Sequence, residues 1–473
     1  MTGSRNHRIT FAVLALGVAS YSFLQSLTVP TIVLIQHELD TSQSGASWIL
    51  TAFLLSASVS TPIVGRLGDS YGKKRMLVLS LALLSAGCLL AVVAPDIGVM
   101  IAARVVQGAG GGSLPLAYAI VRDELPPRLV PTAISLISSL LAVGFGAGIV
   151  VAGPIVEVLG YHWLALLPML VSVAAALGAL LLIPESPVRT REHIPVLPAA
   201  LLAGWLSALL LGVSRAPHWG WGSWQVLLAL ALAVLLLVLW VVVEWRQRVP
   251  LIDLRLMARR GVWTANLVGL LIGAAMYGAL GFYPQFNQTP SAAGYGFGAS
   301  VTEAGHMLLP AAVMTFLCGV FAAPLAERVG ARLLIGAGCL TSALGISFAA
   351  CVHDARWEMY VAGGITGLGS GLVFACLPNA VVAAVAPHET GVATGVNSNI
   401  RTLGGALGSA LMTSLLTSHL QPSGYSAELG YELGFLLLAC CAGLAVLATL
   451  LVPRAAQARQ QAWRAVEDAP LVR

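Results

Sequence analysis

The stretch "GRLGDSYGKKR", residues 65–75, carries five charged side chains in eleven positions: Arg66, Asp69, Lys73, Lys74 and Arg75. It lies between two apolar runs, in a chain of 473 residues that is only 10% charged and 58% hydrophobic. Soluble globular chains are about half apolar and one quarter charged, so this composition points to a membrane. Apolar runs of about twenty residues, each long enough to cross a bilayer as a helix, recur from end to end. In lipid, backbone groups must pair within their own segment or in a closed barrel. The runs are continuous rather than alternating, which selects helices. The charged stretch is therefore a short polar segment between two spans.

Fourteen spans are predicted, near 9–29, 46–65, 76–94, 98–121, 129–154, 163–183, 197–213, 224–243, 263–284, 304–324, 333–352, 357–386, 391–418 and 433–452. The opening "MTGSRNHR" is basic, but the apolar run after it is long and lacks a small-residue cleavage site. It reads as the first span rather than a removable signal. The basic residues set the orientation. With the N-terminus inside, Arg215 and Arg356 fall on the outer side, Arg104 and Arg401 within spans, and the other twenty-one of the 25 Lys and Arg on the inner side. Both termini are then cytoplasmic, in a multi-pass protein of the inner (plasma) membrane. The net charge of +5 is spread over short loops and gives nucleic acid no footing. The seven cysteines lie in or at the ends of apolar runs without metal-type spacing, and read as reduced core residues.

The charged stretch has an echo. "RLGDSYGKKR" from Arg66 aligns with "PLAERVGARL" from Pro324, pairing Leu67, Asp69 and Gly72 with Leu325, Glu327 and Gly330 at an offset of 258. "GAGGG" at 108–112 aligns with "GLGSG" at 367–371 at an offset of 259, and Pro127 with Pro387 at 260. Three matches in one order at nearly one offset describe two parallel halves, a plan used by secondary transporters.

"GRLGDSYGKK" is similar to the first-loop signature of the major facilitator superfamily, and "RVVQGAGGG" from Arg104 resembles that superfamily's fourth-helix motif. Fourteen spans, "PLIDLRLM" after the eighth and "NIRTLGGALG" in the thirteenth look like its fourteen-helix drug:proton antiporter branch. The resemblance implies an all-α membrane protein of major-facilitator type. Residues 1–190 would form one six-helix bundle, 191–260 two additional transmembrane helices and an inner linker, 261–453 a second six-helix bundle, and 454–473 a cytoplasmic tail. It also implies a gating latch at Gly65, Asp69, Gly72, Lys73, Lys74 and Arg75, with Glu327 and Arg328 as a weaker counterpart. Gly65 permits close backbone approach and Gly72 a tight turn. Asp69 suits a helix N-terminus or an arginine, and the three basic residues suit an anionic leaflet.

The fifth span carries Gly144, Gly148, Gly153 and Pro154, a partial match to the branch's glycine array that predicts a kinked, closely packed helix hinge. A central cavity needs polar and aromatic walls. The candidates are Tyr21, Gln25, Trp48, Phe53, Asn266, Tyr277, Tyr283, Gln285, Asn287, Phe374, Asn379, Asn397 and Asn399. Each is equally readable as a packing or interfacial residue. The first span lacks the acid that the antiporter branch carries, its place falling near Tyr21. Intramembrane charge is a functional hypothesis by default, which singles out Arg104, Gln107 beside it, and Arg401. Proton coupling is then expected at Glu157, Glu303 or His306 near the outer mouth, or through the substrate's own negative charge.

The leading expectation is a secondary active exporter of hydrophobic or amphipathic compounds, of the drug or antibiotic efflux kind, working by alternating access. No cofactor is expected beyond a proton gradient. The expected partners are a small-molecule substrate and the bilayer, not nucleic acid, and the family habit favours a monomer. A facilitator or importer of a metabolite or lipid on the same fold is the alternative. No Walker-type sequence, nucleophile motif or clustered metal-type set argues for a pump or an enzyme.

Overall fold

The computed structural model describes residues 7–28, 35, 38–41, 43–185, 196–247, 250–386, 389–421 and 425–453. The expected tail at 454–473 and the basic residues Arg5, Arg189, Arg191 and Arg248 lie outside the described residues. Among the described residues, thirteen helices are long and apolar enough to cross a membrane. A further helix, Thr390–Ser418, has 29 residues and supplies the fourteenth span; Asn397, Asn399 and Arg401 make it more polar than the rest.

In chain order the spans are His7–Leu27, Gln43–Tyr71, Lys73–Val92, Ile97–Glu124, Val130–Leu159, Trp163–Leu182, Val196–Trp219, Trp224–Arg246, Arg260–Gln288, Val301–Val329, Ala331–Cys351, Arg356–Ala383, Thr390–Ser418 and Glu428–Thr449. The fourth is interrupted by a tight turn at Gly110–Gly112, and the tenth divides at Leu308, where Pro310 opens its second part.

Several sequence boundaries need correction. The second span does not stop at 65 but runs to Tyr71, so Arg66 and Asp69 are helical and Gly72 alone makes the turn, at φ 116°. The seventh is not a short 197–213 segment but Val196–Trp219. Arg215, expected outside, lies within it and is buried.

The first six spans pack around a core that includes Leu14, Leu81, Ile134 and Ala175; the last six around one that includes Val268, Ile335, Leu377 and Leu438. The seventh and eighth spans share a smaller core at the seam between these groups. There Leu202, Leu206 and Trp240 meet Val59 and Ile63 of the second span and Val392 and Leu403 of the thirteenth. The eighth span buries only one narrow face, through Val226, Ala233, Trp240 and Glu244, as expected of a helix whose other sides face lipid.

The small-residue runs do what their size permits. A methyl on Gly108 would sit 2.6 Å from the Phe53 carbonyl oxygen, and one on Gly371 2.7 Å from the Thr315 Cα. Both distances are below real contact, so these glycines are packing surfaces between neighbouring helices.

Candidate functional site

A cavity of about 340 Å³ lies between the two halves. The first, second and fourth spans contribute Tyr21, Gln25, Phe53, Thr61 and Arg104 to it. Tyr277, Asn399, Arg401 and Thr413 come from the ninth and thirteenth, and Ser214 and Pro217 from the seventh. Among the described residues that line it there is no Asp or Glu.

Arg104 comes from the first half. Its guanidinium carbon lies 4.6 Å from the Phe53 ring centroid, and Phe53 stacks on Tyr21 at 5.7 Å. Its Nε donates to the Ile49 carbonyl at 3.2 Å and its Nη1 to Gln107 Oε1 at 2.8 Å. Arg401 comes from the second half and lies 4.6 Å from the Phe374 ring centroid, which in turn meets the edge of Tyr277 at 6.4 Å. Its Nη2 donates to Ser398 Oγ at 3.5 Å. Each half thus presents one guanidinium on an aromatic face.

Of the expected cavity residues, Tyr21, Gln25, Phe53, Tyr277 and Asn399 come together here. Phe374 supports Arg401 from behind. The remaining seven are placed elsewhere. Tyr283 bonds Thr366 at 3.2 Å and packs on Phe435 at 5.1 Å inside the second half. It follows the cavity-facing Tyr277 by six residues, which turns it about 120° away. Asn266 shares Tyr277's face but lies about three turns nearer the Gly72 end, where it accepts from Asn397 Nδ2 at 2.9 Å. Asn379 donates across the halves to Ser135 Oγ at 2.9 Å and the Pro131 carbonyl at 3.1 Å. Gln285 is exposed, and Asn287 is buried at the far end of the ninth span, its carbonyl accepting from Ala299. Trp48 lies under Arg215, 4.8 Å from ring centroid to guanidinium carbon.

The Gly72 end is sealed by contact between the halves. A methyl on Gly65 would lie 2.8 Å from the Gly391 carbonyl oxygen, and one on Gly395 would lie 3.3 Å from the Thr61 carbonyl oxygen. Asp69, 2% exposed, rests on the first turn of the thirteenth span; a methyl on Gly391 would meet both its carboxylate oxygens at 3.2 Å. The helix dipole favours an anion at that position. Lys73, itself buried, pairs with Asp123 at 2.6 Å. The Lys74 amide donates to Glu185 at 3.2 Å, and Arg75 lies 3.6 Å from the same carboxylate.

Arg122 was invisible as a candidate in the sequence. Its Nη1 donates to Thr390 Oγ1 at 2.6 Å and its Nη2 to the Val385 carbonyl at 2.9 Å, clasping the second half. Its position three residues before Leu-Pro-Pro carries no local signal; only the fold places it. At the expected counterpart, Glu327 and Arg328 are exposed and their side chains make no hydrogen bond or ion pair among the described residues. The turn beyond them is open where the first is tight: a methyl on Gly330 would meet no atom within 4 Å.

Gly144 and Gly148 of the expected hinge abut Ser22 and Ser26 of the first span, and Gly153 abuts Thr302. The fifth helix runs unbroken through Pro154. Glu157, Glu303 and His306 are exposed and do not line the cavity. Glu303 caps its helix with Ser300 and lies 3.7 Å from Arg356.

Although the sequence shows no metal-type spacing, the fold gathers His353, Glu428 and Glu432, with their nearest ligand atoms within 4.8 Å of one another. His353 Nε2 lies 3.1 Å from Glu428. A hydrogen bond between the imidazole and Glu428 accounts for this contact.

A family model described as the Major Facilitator Superfamily matches residues 14–295 and 265–472. The chain belongs to that superfamily. Among curated relatives it is similar to the multidrug resistance protein B homolog of Mycobacterium tuberculosis (strain CDC 1551 / Oshkosh), with 27% identity over 74% of this chain and 65% of that one. It is 29% identical to the probable actinorhodin transporter of Streptomyces coelicolor over 76% of this chain and 64% of that one. It is also 29% identical to the cephamycin export protein CmcT of Amycolatopsis lactamdurans, over 83% and 82%. The chain spans slightly under two thirds of the length of the first two. Among solved structures, the human organic anion transporter MFSD10 (TETRAN) superimposes with a TM-score of 0.67 at 16% identity, over 94% of this chain and all of that one; that likeness concerns the fold.

Proposed function

We propose that the protein is a secondary active exporter of hydrophobic or amphipathic organic compounds, working by alternating access. The observation that carries this reading is the central cavity: aromatic and hydroxyl-lined, between two halves, and closed at the Gly72 end by the Gly65–Gly391 contact. Relatives named for multidrug resistance and for cephamycin export support a role in efflux. In this reading the protein lies in the plasma membrane with both termini cytoplasmic, works as a monomer, and has its inner side at the sealed Gly72 end. The cycle breaks the seal and closes the far end.

A proton gradient is the proposed energy source. The proton would be carried at Glu157, Glu303 or His306, since no acid lines the cavity among the described residues. That same observation favours a second reading, a facilitator that couples to no ion.

The test is net movement of a panel of toxic compounds in proteoliposomes with an imposed proton gradient, with lumen pH recorded. Uphill movement accompanied by a pH change is expected. Downhill movement alone, with lumen pH flat, would select the facilitator. Full proton coupling in a Glu157→Gln, Glu303→Gln, His306→Ala variant would move the titrating site elsewhere.

A further inference from the structure

We infer that the cavity selects organic anions: aromatic amphipaths bearing a carboxylate, sulfonate or similar group that bridges Arg104 and Arg401. The inference deepens the exporter reading and rests on it for the direction of movement. Both arginines line the cavity, and they are 2% and 3% exposed. Each is held at its back by neutral partners only: a carbonyl and an amide oxygen for Arg104, a serine hydroxyl for Arg401. Arg104 Nη2 and Arg401 Nε have no hydrogen-bond partner.

Arginine cannot shed its proton in a protein. A buried cation lacking both counter-ion and full hydrogen bonding is costly. Here two such cations face one cavity that has no carboxylate among its described lining residues. The aromatic faces beneath them help by cation–π attraction, yet they leave those N–H donors unsatisfied. A ligand anion would supply acceptors to both at once, while Tyr21, Phe53 and Tyr277 would enclose its apolar body. A cationic ligand would meet like charge in a poorly screened site. The size of the cavity, about 340 Å³, suits one small molecule. Because the two arginines belong to different halves, a bridging anion would also tie together the elements that must move.

The experiment uses the purified full chain in detergent and three fluorescent aromatic probes of similar size. These are anilinonaphthalene sulfonate (anion), phenylnaphthylamine (neutral) and ethidium (cation). Binding is read by equilibrium dialysis against empty micelles, and export is measured in cells making the protein. Wild type should bind the anion about tenfold or more tighter than the neutral probe, as charge-assisted hydrogen bonds require. In Arg104→Gln and in Arg401→Gln the ratio of anion to neutral affinity should fall about tenfold, and Arg401→Lys should recover part of it. The wild-type comparison stands even if a variant fails to fold. Equal or weaker binding of the anion, binding of none of the probes, or an unchanged ratio in well-folded Gln variants would overturn the inference. Export of neutral or cationic probes without anion preference would leave the exporter reading standing while this inference falls. Anion-selective binding with no export of any probe would do the reverse.

Discussion

Residues 65–75 and their echo at 324–333 descend from the same pattern, yet the fold uses them differently. At the first, Gly65 touches the backbone of Gly391, Asp69 is buried on the thirteenth span's first turn, and Lys73 is buried with Asp123. At the second, Glu327 and Arg328 are exposed, and the turn at Gly330 meets no neighbouring atom that a methyl would touch. Both turns have a glycine at positive φ, 116° at Gly72 and 90° at Gly330. The turn chemistry is thus shared, and the interlock is not. A repeated sequence preserves local backbone geometry because that is set by neighbours in the chain. The partner that converts a turn into a seal comes from the other half, and the two halves are not identical.

The sharpest way to break the comparison is Lys73→Met. It would remove the buried cation that Asp123 pairs with at 2.6 Å and should cost about 3–5 kcal/mol of stability, read as lost monodispersity and a lower Tm in detergent. Gly391→Val is next. Its side chain has no room beside Gly65 and Asp69, and overpacking of this kind costs about 1–3 kcal/mol. The expected result is a protein that inserts normally but opens at the Gly72 end, detected as faster hydrogen–deuterium exchange over residues 390–395. Asp69→Asn keeps the shape and removes the charge facing the helix dipole. Transport should be lost while expression is retained, with a weakening of the seal of about 1 kcal/mol; normal transport by a well-expressed variant would remove Asp69 from the latch. Arg122→Ala should weaken the same seal by a similar amount, through its lost bonds to Thr390 and Val385. At the small end, the double variant Glu327→Gln, Arg328→Gln should change transport and Tm hardly at all, within about 0.5 kcal/mol. A large loss there would show that the second loop acquires a partner in another state of the cycle.

The two arginines extend the contrast between the halves. Arg104 is on the fourth span and Arg401 on the thirteenth, which are not repeat-equivalent positions, since the fourth corresponds to the twelfth. Each still lies 4.6 Å from an aromatic centroid. Similar environments have been built on unlike elements, so aligning the repeats could not have paired them.

Much of the fold was legible because lipid leaves so few choices. A continuous apolar run must be a helix, and its length must match the bilayer. The helix ends were less legible: Gln43–Tyr71 overran its predicted end because helical hydrogen bonding continues until Gly72 turns the chain, whatever the hydropathy. The cavity was half legible. Tyr21, Gln25, Phe53, Tyr277 and Asn399 were polar or aromatic within spans and do line it. Tyr283 and Asn379 carried the same signal and do not, because residue type says nothing of which way a helix is rotated.

The sequence by itself determined the membrane environment, the helical class, the near-repeat and two of the charges that lie within spans, Arg104 and Arg401, all of which depend on composition and order along the chain. Only the tertiary structure decided that the seventh span brings Ser214 and Pro217 to the cavity, that Arg122 clasps Thr390, and that Glu327 has no such partner. Those facts depend on helix rotation and on contacts between distant segments, Arg122 and Thr390 being 268 residues apart. They are set by how side chains of neighbouring helices interlock, and no local pattern in the chain encodes that.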